Sequence, residues 1–199
     1  MEFKNKDEVN AVLLALRSAY HEKKSYSKIK ISDISEKSNI HIGTIYAHFT
    51  NKDDIAVSLI KKDIYDIFIT YDEEIEDGMP ASEKLKIFLS LQMEFLGSDL
   101  KMIRELLPFA IQPFSTFSDL LLENRKKYND FLYQLFLNNF KKSSFIFRNV
   151  TLPIITNTFL AFNLSVLQFW LSDKSEGKQS TLNYIEKGVK NFMIMSTLL

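Results

Sequence analysis

Apolar residues recur at three- and four-residue intervals through most of the chain, runs of strict alternation are absent, and Gly and Pro are scarce. This pattern predicts helices throughout and an all-α fold of about nine helices. The first helix is expected over Lys6 to Glu22, with Val9, Val12, Leu13, Leu16, Ala19 and Tyr20 on one face. Two short helices follow, Ile31 to Ser38 and Ile42 to Phe49. A long fourth helix is expected after Asn51, reaching Glu76 and burying Ile55, Leu59, Ile67, Phe68, Tyr71 and Ile75. Further helices are predicted over residues 81–96, 99–110, 115–141, 152–172 and 179–197. Their boundaries fall at Gly78-Met79-Pro80, Gly97-Ser98, Pro108 to Pro113, Ser143-Ser144 and Asp173 to Gly177.

Within this frame the segment Ile31 to Ile55 reads as a helix, a tight turn and a second helix. Ile31, Ile34 and Ser38 give the first helix a single inward stripe, and Asn39 tolerates the left-handed backbone that a short turn needs. In the second helix Ile45 and Phe49 stand one turn apart and point inward. Gly43, Thr44, Ala47 and His48 then face outward, with Tyr46 at the margin. Small residues at 43 and 47 let such a helix sit deep in a groove, where hydroxyl and imidazole groups reach phosphates or base edges. Asn51 is a good N-cap for the next helix, and Lys52 at that helix end, beside free backbone N–H groups, makes a phosphate anchor. Each assignment has an ordinary alternative: Tyr46 as a core aromatic, His48 as a plain surface histidine, and Lys23, Lys24, Lys28 and Lys30 as a solvated basic stretch.

Ile34, Ile40, the run Gly43-Thr44-Ile45-Tyr46-Ala47-His48-Phe49 and Lys52 resemble the DNA-binding signature of the TetR (tetracycline repressor) family. The resemblance covers about 25 residues. It implies that Ile42 to His48 is a recognition helix, that Thr44, Tyr46, His48 and Lys52 contact phosphate or bases, and that the protein is a homodimer on a palindromic operator with a C-terminal ligand-binding body. The expected division is a DNA-binding head, residues 1–50, and a ligand-binding and dimerising body, residues 51–199. Departures from the family pattern are Ser35 and Ser38 for alanines, Asn39 for the turn Gly, Lys30 for a Thr cap, and His41 for a Ser or Thr cap. His41 is expected to weaken the cap while placing a titratable ring at the DNA surface. The expected DNA-facing set is therefore Lys30, His41, Ile42, Gly43, Thr44, Tyr46, Ala47, His48 and Lys52.

Composition adds little that conflicts. The chain has 199 residues, no cysteine and three histidines, so thiolate metal sites are excluded and no metal or cofactor is expected. Net charge is zero, but residues 1–52 carry nine Lys/Arg against six Asp/Glu, leaving the remainder net acidic. The charged N-terminus lacks a signal-peptide pattern, and no apolar run free of polar residues approaches membrane length, the best being Leu152 to Leu171 with Asn157, Asn163 and Gln168 inside it. A cytoplasmic protein without a membrane partner is the expectation. Gly-rich phosphate loops, nucleophile elbows and metal-ligand clusters are absent, which argues against an enzyme.

Fourteen of the 17 phenylalanines lie beyond residue 80. They fill a helical core in the ordinary reading. As an effector cavity they point to Phe88, Phe95, Phe109, Phe114, Phe117, Phe131, Phe159, Phe162 and Trp170, with Gln92, Gln112 and Asn163 orienting a small, largely apolar or aromatic molecule. Ile185, Gly188, Val189, Phe192 and Ser196 form one stripe, read as part of a four-helix dimer interface or as a contact inside one subunit. The functional expectation is a ligand-responsive transcriptional regulator, a repressor released by its effector; the alternative is a helical ligand-binding or protein-interaction module without operator-specific binding.

Overall fold

The computed structural model describes residues 6–97, 99–110, 116–137 and 147–198. Among these the chain is helical: α1 (Lys6–Lys23), α2 (Ile31–Ser38), α3 (Ile42–His48), α4 (Lys52–Glu74), α5 (Ala81–Leu96), α6 (Leu100–Ala110), α7 (Thr116–Leu137), α8 (Leu152–Ser172) and α9 (Gln179–Leu198). Short 3-10 turns at Tyr26–Lys28 and Glu176–Lys178 and a π-helical turn at Phe147–Thr151 complete the description. Periodicity located all nine helices because each buries one stripe. α6 runs through Pro108 and ends at Ala110, as the predicted 99–110 span has it; the rest of the expected break, to Pro113, lies outside the described residues.

The chain divides into two compact units, residues 1–64 with 99–121 and residues 65–98 with 122–199. In the first, α1 buries Val9, Val12, Leu13, Leu16, Ala19 and Tyr20, with Asp7 and Glu8 at its positive end and His21 and Lys23 at its negative end. Polar contacts fix three helices of this unit together. Arg17 of α1 donates to both carboxylate oxygens of Asp63 on α4, at 2.8 and 2.7 Å, and to Asp99 Oδ2, just before α6, at 2.7 Å. Glu105 of α6 accepts from the Tyr20 hydroxyl at 2.9 Å and from the Tyr26 backbone N–H at 2.8 Å. Burial pushes the Asp63 carboxyl up to about 6, against the pull of Arg17.

In the second unit α5, α8 and α9 pack on one another. Asp173 fixes the α8–α9 connection: Oδ1 accepts from Ser175 N and Oγ at 2.8 and 2.6 Å, and Oδ2 from Thr181 N and Oγ1 at 2.8 and 2.6 Å. These bonds to its charged form hold its carboxyl well below the usual range. Gly177 takes a left-handed φ of 57° in the same connection.

The dimer-interface expectation is corrected here. Ile185, Val189, Phe192 and Ser196 are buried inside their own chain. Gly188 of the same stripe lets α9 approach α8, because a methyl there would overlap Cε2 and Cζ of the Phe162 ring. The stripe is core: its helix packs on both α5 and α8, so one apolar face was enough to seat it. The solvent side of α8 carries a mixed stripe, with apolar Ile154, Ala161 and Leu164 beside the amides Asn157 and Gln168; Ile154 is 44% and Leu164 57% exposed. On α9 Leu182 and Ile194 are exposed. Apolarity on two faces also makes Asn149–Ser172 long and apolar enough by length and composition to cross a membrane, although Asn157, Asn163 and Gln168 interrupt it. Its buried side, Ile155, Thr156, Phe159, Asn163 and Val166, is that of a core helix.

Candidate nucleic-acid interface and body cavity

The turn between α2 and α3 is built as the residue types require. Asn39 closes α2 with φ 55°, ψ 31°, the left-handed region. Ser35 Oγ donates to Ile40 O at 2.6 Å and Ser38 Oγ to Ile34 O at 2.7 Å, so the two serines in place of alanines tie the turn. Lys30 stays exposed, and its backbone N–H donates to Asp33 Oδ2 at 2.6 Å, which supplies the start of α2 with an acidic partner where a Thr hydroxyl was missing.

His41 does not weaken the start of α3. Its Nδ1 accepts from Gly43 N–H at 3.1 Å, so the ring is the cap, in the tautomer that leaves Nε2 protonated and free to donate. A Cβ at Gly43 would stand 3.2 Å from that Nδ1, so glycine gives the imidazole its room. Ile45 is fully buried and Phe49 nearly so. Their burial turns Ile42, Gly43, Tyr46 and Ala47 to the exposed side, where Tyr46 is 54% exposed. Thr44 and His48 are half-buried. His48 Nε2 lies 3.2 Å from Glu8 Oε2 of α1, so its ring is braced against the protein.

Asn51 caps α4 as expected, accepting from Asp54 N–H at 2.9 Å, while Asp54 Oδ2 accepts from Thr50 N–H at 3.0 Å. Lys52 is placed differently from a free anchor. Its ammonium donates to Tyr26 O at 2.9 Å and Ile29 O at 3.0 Å and sits 4.1 Å from the Tyr26 ring centroid. Two of three donors are thus spent inside the protein, and burial lowers its pKa. Tyr26 in turn donates its hydroxyl to Asp53 Oδ1 at 2.7 Å, which joins the α1–α2 turn to the start of α4. No local signal marks Tyr26 for this role; apart from the turn bond from Ile29 N–H to its carbonyl, its partners Lys52, Asp53 and Glu105 lie 26 or more residues away.

In the second unit the structure gathers Phe88, Phe131 and Phe159 with Phe68, Tyr71 and Tyr128. Phe88 stacks on Phe131 at 4.5 Å between centroids, Tyr71 meets Phe131 edge-on at 5.2 Å, and Phe159 lies 6.2 Å from both Phe88 and Phe131. Gln92 and Asn163 are buried beside them and donate to the Tyr128 hydroxyl oxygen at 2.6 and 3.3 Å. Burial raises the Tyr128 hydroxyl to about 12, so it keeps its proton at neutral pH. A cavity of about 430 Å³ opens against this cluster, lined by Phe68, Tyr71, Ile75, Phe131 and Leu135 with Asp72, Lys84, Lys127 and Asp130 among its polar residues.

The other expected cavity residues that are described go elsewhere. Phe162 packs on Gly188 and near Tyr184, Trp170 lies near Gly97 and Lys178, and Phe95 is half-buried outside this cavity lining. Phe109, Gln112, Phe114 and Phe117 fall outside the described residues or side chains. Sequence reasoning gave Phe68, Tyr71 and Ile75 to core and overlooked Tyr128; the signal was there in the i, i+3, i+7 spacing of Phe68, Tyr71 and Ile75 and of Tyr128, Phe131 and Leu135, which brings two aromatic stripes face to face.

Comparison with known proteins agrees with this architecture. Residues 19–59 match the family described as bacterial regulatory proteins, tetR family, and residues 84–197 match the tetracyclin repressor-like C-terminal domain. The chain is 32% identical over 74 residues to the fatty acid metabolism regulator protein of Bacillus subtilis, 37% of this chain and 38% of that protein. The chain thus spans well under half the length of this curated relative. Among solved structures it resembles the fatty acid degradation regulator FadR from Bacillus halodurans, with TM-score 0.69, 19% identity and 96% of each chain covered. It also resembles FadR from Bacillus subtilis, solved in complex with stearoyl-CoA, with TM-score 0.64, 17% identity, and 92% of this chain and 96% of that one covered. At such identities the likeness is one of fold. The C-terminal match alone covers more than half of the chain, and with the helix-turn-helix match before it, the chain belongs to the TetR family of DNA-binding transcriptional regulators.

Proposed function

We propose that the protein is a cytoplasmic, homodimeric repressor that places two copies of α3 in successive major-groove faces of a palindromic operator and leaves it when an apolar effector fills the body. The observation that carries the DNA-binding geometry is the two-sidedness of α3: Ile45 is fully buried, whereas Tyr46 is 54% exposed beside Gly43 and Ala47. A short helix anchored on one face and small on the other enters a groove without clash. His41 Nε2 and Tyr46 Oη serve as donors to phosphate or base edges, and Thr44 completes the set. Lys52 offers its remaining N–H to a phosphate while its other two hold the Tyr26 turn in place. Lys30 adds charge at the rim.

The dimer reading is supported by the exposed stripe of α8, with Ile154 and Leu164, and by Ile194 on α9, and it replaces the α9 stripe first expected. Two copies must hold their recognition helices about 34 Å apart. The effector reading is supported by the 430 Å³ cavity and its aromatic wall, a volume in the range of small-molecule sites. Stearoyl-CoA bound to the Bacillus subtilis neighbour makes long-chain acyl thioesters the first class to try. α4 and α7 are each shared by both units, and α4, with Lys52 in the first and Phe68 in the second, supplies one continuous helix between them. Release requires that effector favour the geometry that does not bind operator.

The test selects bound sequences from random duplex DNA and then titrates the selected site by fluorescence anisotropy. A palindrome with steep salt dependence is expected, and Tyr46→Phe with Lys52→Ala should weaken binding at least tenfold. Equal affinity for random and selected DNA would leave a ligand-binding or protein-interaction module. Stearoyl-CoA should lower operator affinity in the same assay; unchanged affinity across a panel of acyl-CoAs removes that effector class.

A further inference from the structure

We infer that Gln92, Tyr128 and Asn163 form a recognition point for an uncharged hydroxyl carried on an otherwise apolar molecule bound in the body. This rests on the body being the effector site and names the chemistry it selects. All three residues are buried, Gln92 to 1% and Asn163 to 5% exposure. They stand among the rings of Phe68, Phe88 and Phe159, whose centroids lie 6.3, 5.8 and 6.0 Å from that of Tyr128. Phe68 also lines the 430 Å³ cavity, and Tyr128 precedes the cavity residue Phe131 by one helical turn, so cavity and polar cluster share a wall.

The cluster is short of partners. Both amide nitrogens donate to one oxygen, Tyr128 Oη, and the carbonyl oxygens Gln92 Oε1 and Asn163 Oδ1 have no partner; nor does Thr156 Oγ1, two turns before Asn163 on the same face of α8. Turning either amide over does not repair this. The turned carbonyl accepts the Tyr128 proton, but its NH2 then loses the oxygen it had bonded, and the other amide's carbonyl stays bare. Every arrangement with a hydrogen bond on each amide leaves at least one acceptor and at least one N–H or O–H hydrogen unmatched. A hydroxyl supplies both complements from one atom. A hydrocarbon supplies neither, and leaving such groups unpaired in apolar surroundings is costly. A carboxylate or phosphate supplies no hydrogen, and none of the three residues is charged to offset its desolvation. Charged side chains are instead found in the cavity lining, where Asp72 and Asp130 are exposed.

The experiment uses the full chain and two probes of nearly equal shape, benzene and phenol, both neutral at pH 7. Their dissociation constants are measured by NMR titration, with the side-chain NH2 signals of Gln92 and Asn163 assigned by substitution. Phenol is expected to bind at least tenfold more tightly than benzene and to shift both NH2 signals. In Gln92→Met/Asn163→Leu the preference should vanish while benzene still binds. If that variant does not fold, Tyr128→Phe, which keeps the ring, should cut the preference at least threefold. Equal affinity for the two probes overturns the inference and is the result expected if a permanent water fills the cluster. A preference that survives both variants, or unmoved NH2 signals, overturns it as well. If neither probe binds, the body loses its standing as a site for small apolar molecules, and the wider reading falls with the inference; in the other failing outcomes the effector site stands.

Discussion

Replacing Arg17 by Ala tests the polar junction of the first unit most directly. The guanidinium is 25% exposed, but the carboxylates it joins are almost closed off, Asp63 at 6% and Asp99 at 1%. Truncation leaves both carboxylates with their main counter-charge gone and buried oxygens unpaired. Breaking a buried pair by removing one partner costs about 3–5 kcal/mol. The partial exposure of Arg17 lets water reach the site, so a loss of about 3 kcal/mol is expected, a large share of a small domain's stability. The assay is urea unfolding followed by far-UV circular dichroism at fixed protomer concentration, because association would contribute to the reading. Adding Asp63→Asn and Asp99→Asn to Arg17→Met removes the stranded charges and should recover at least half of the loss. The deficit should also depend on pH. Asp63 has its folded value raised to about 6, above its unfolded value, so the folded state binds the extra proton and this group adds stability as pH falls through 6 toward 4. Without Arg17 the folded value rises further, and the Arg17→Ala deficit should therefore narrow between pH 7.5 and 5. A loss under about 1 kcal/mol, or a neutral triple variant as unstable as Arg17→Ala, would refute the assignment of this junction as a buried charge cluster.

Other substitutions probe the head and body separately. His41→Ala should cost about 1 kcal/mol in the same unfolding assay and lower operator affinity, while His41→Ser should restore the cap; equal stability of the two variants would mean that the ring does not cap α3. Gly188→Ala gains about 1 kcal/mol of helix propensity but drives a methyl into the Phe162 ring, which costs about 1–3 kcal/mol, so a net loss is expected that Phe162→Leu relieves. Ile154→Lys with Leu164→Lys should leave the protomer folded and shift it to monomer in sedimentation, whereas an unchanged dimer would place the interface elsewhere.

The head was legible because its signals are local. Ile34, Ile45 and Phe49 set two short helices by spacing, Asn39 supplied the left-handed turn, and Asn51 marked the next start; each acts within four residues of its own position. What was not legible depended on distant partners. Lys52 has charge, helix end and motif in favour of a phosphate contact, yet two of its hydrogens go to carbonyls of a turn more than 20 residues earlier. His41 was expected to weaken its cap because histidine is rarely placed there, but a ring nitrogen in the right tautomer accepts as a hydroxyl does, provided residue 43 is Gly.

The body shows where periodicity loses its power. An amphipathic stripe says that a face is covered, not by what. On α9 the stripe of Ile185, Val189 and Phe192 is spent on its own chain, and the Gly inside it admits Phe162 of α8 rather than a second subunit. On α8 apolar residues run round the helix, so spacing alone cannot tell the side holding Phe159 and Asn163 from the side holding Ile154 and Leu164. The amides discriminate better than the hydrocarbons: burying an amide is unfavourable unless it is bonded, so Asn163 on the inner face marks a polar cluster inside, whereas Asn157 and Gln168 mark an outer face that meets water or a polar rim. Aromatic abundance behaves like the stripe. Among the six aromatic candidates whose side chains are described, the three that gather at the centre, Phe88, Phe131 and Phe159, are those beside Gln92, Tyr128 and Asn163, so in a helical body rich in phenylalanine the few buried polar side chains single out a cluster more sharply than the many rings around them.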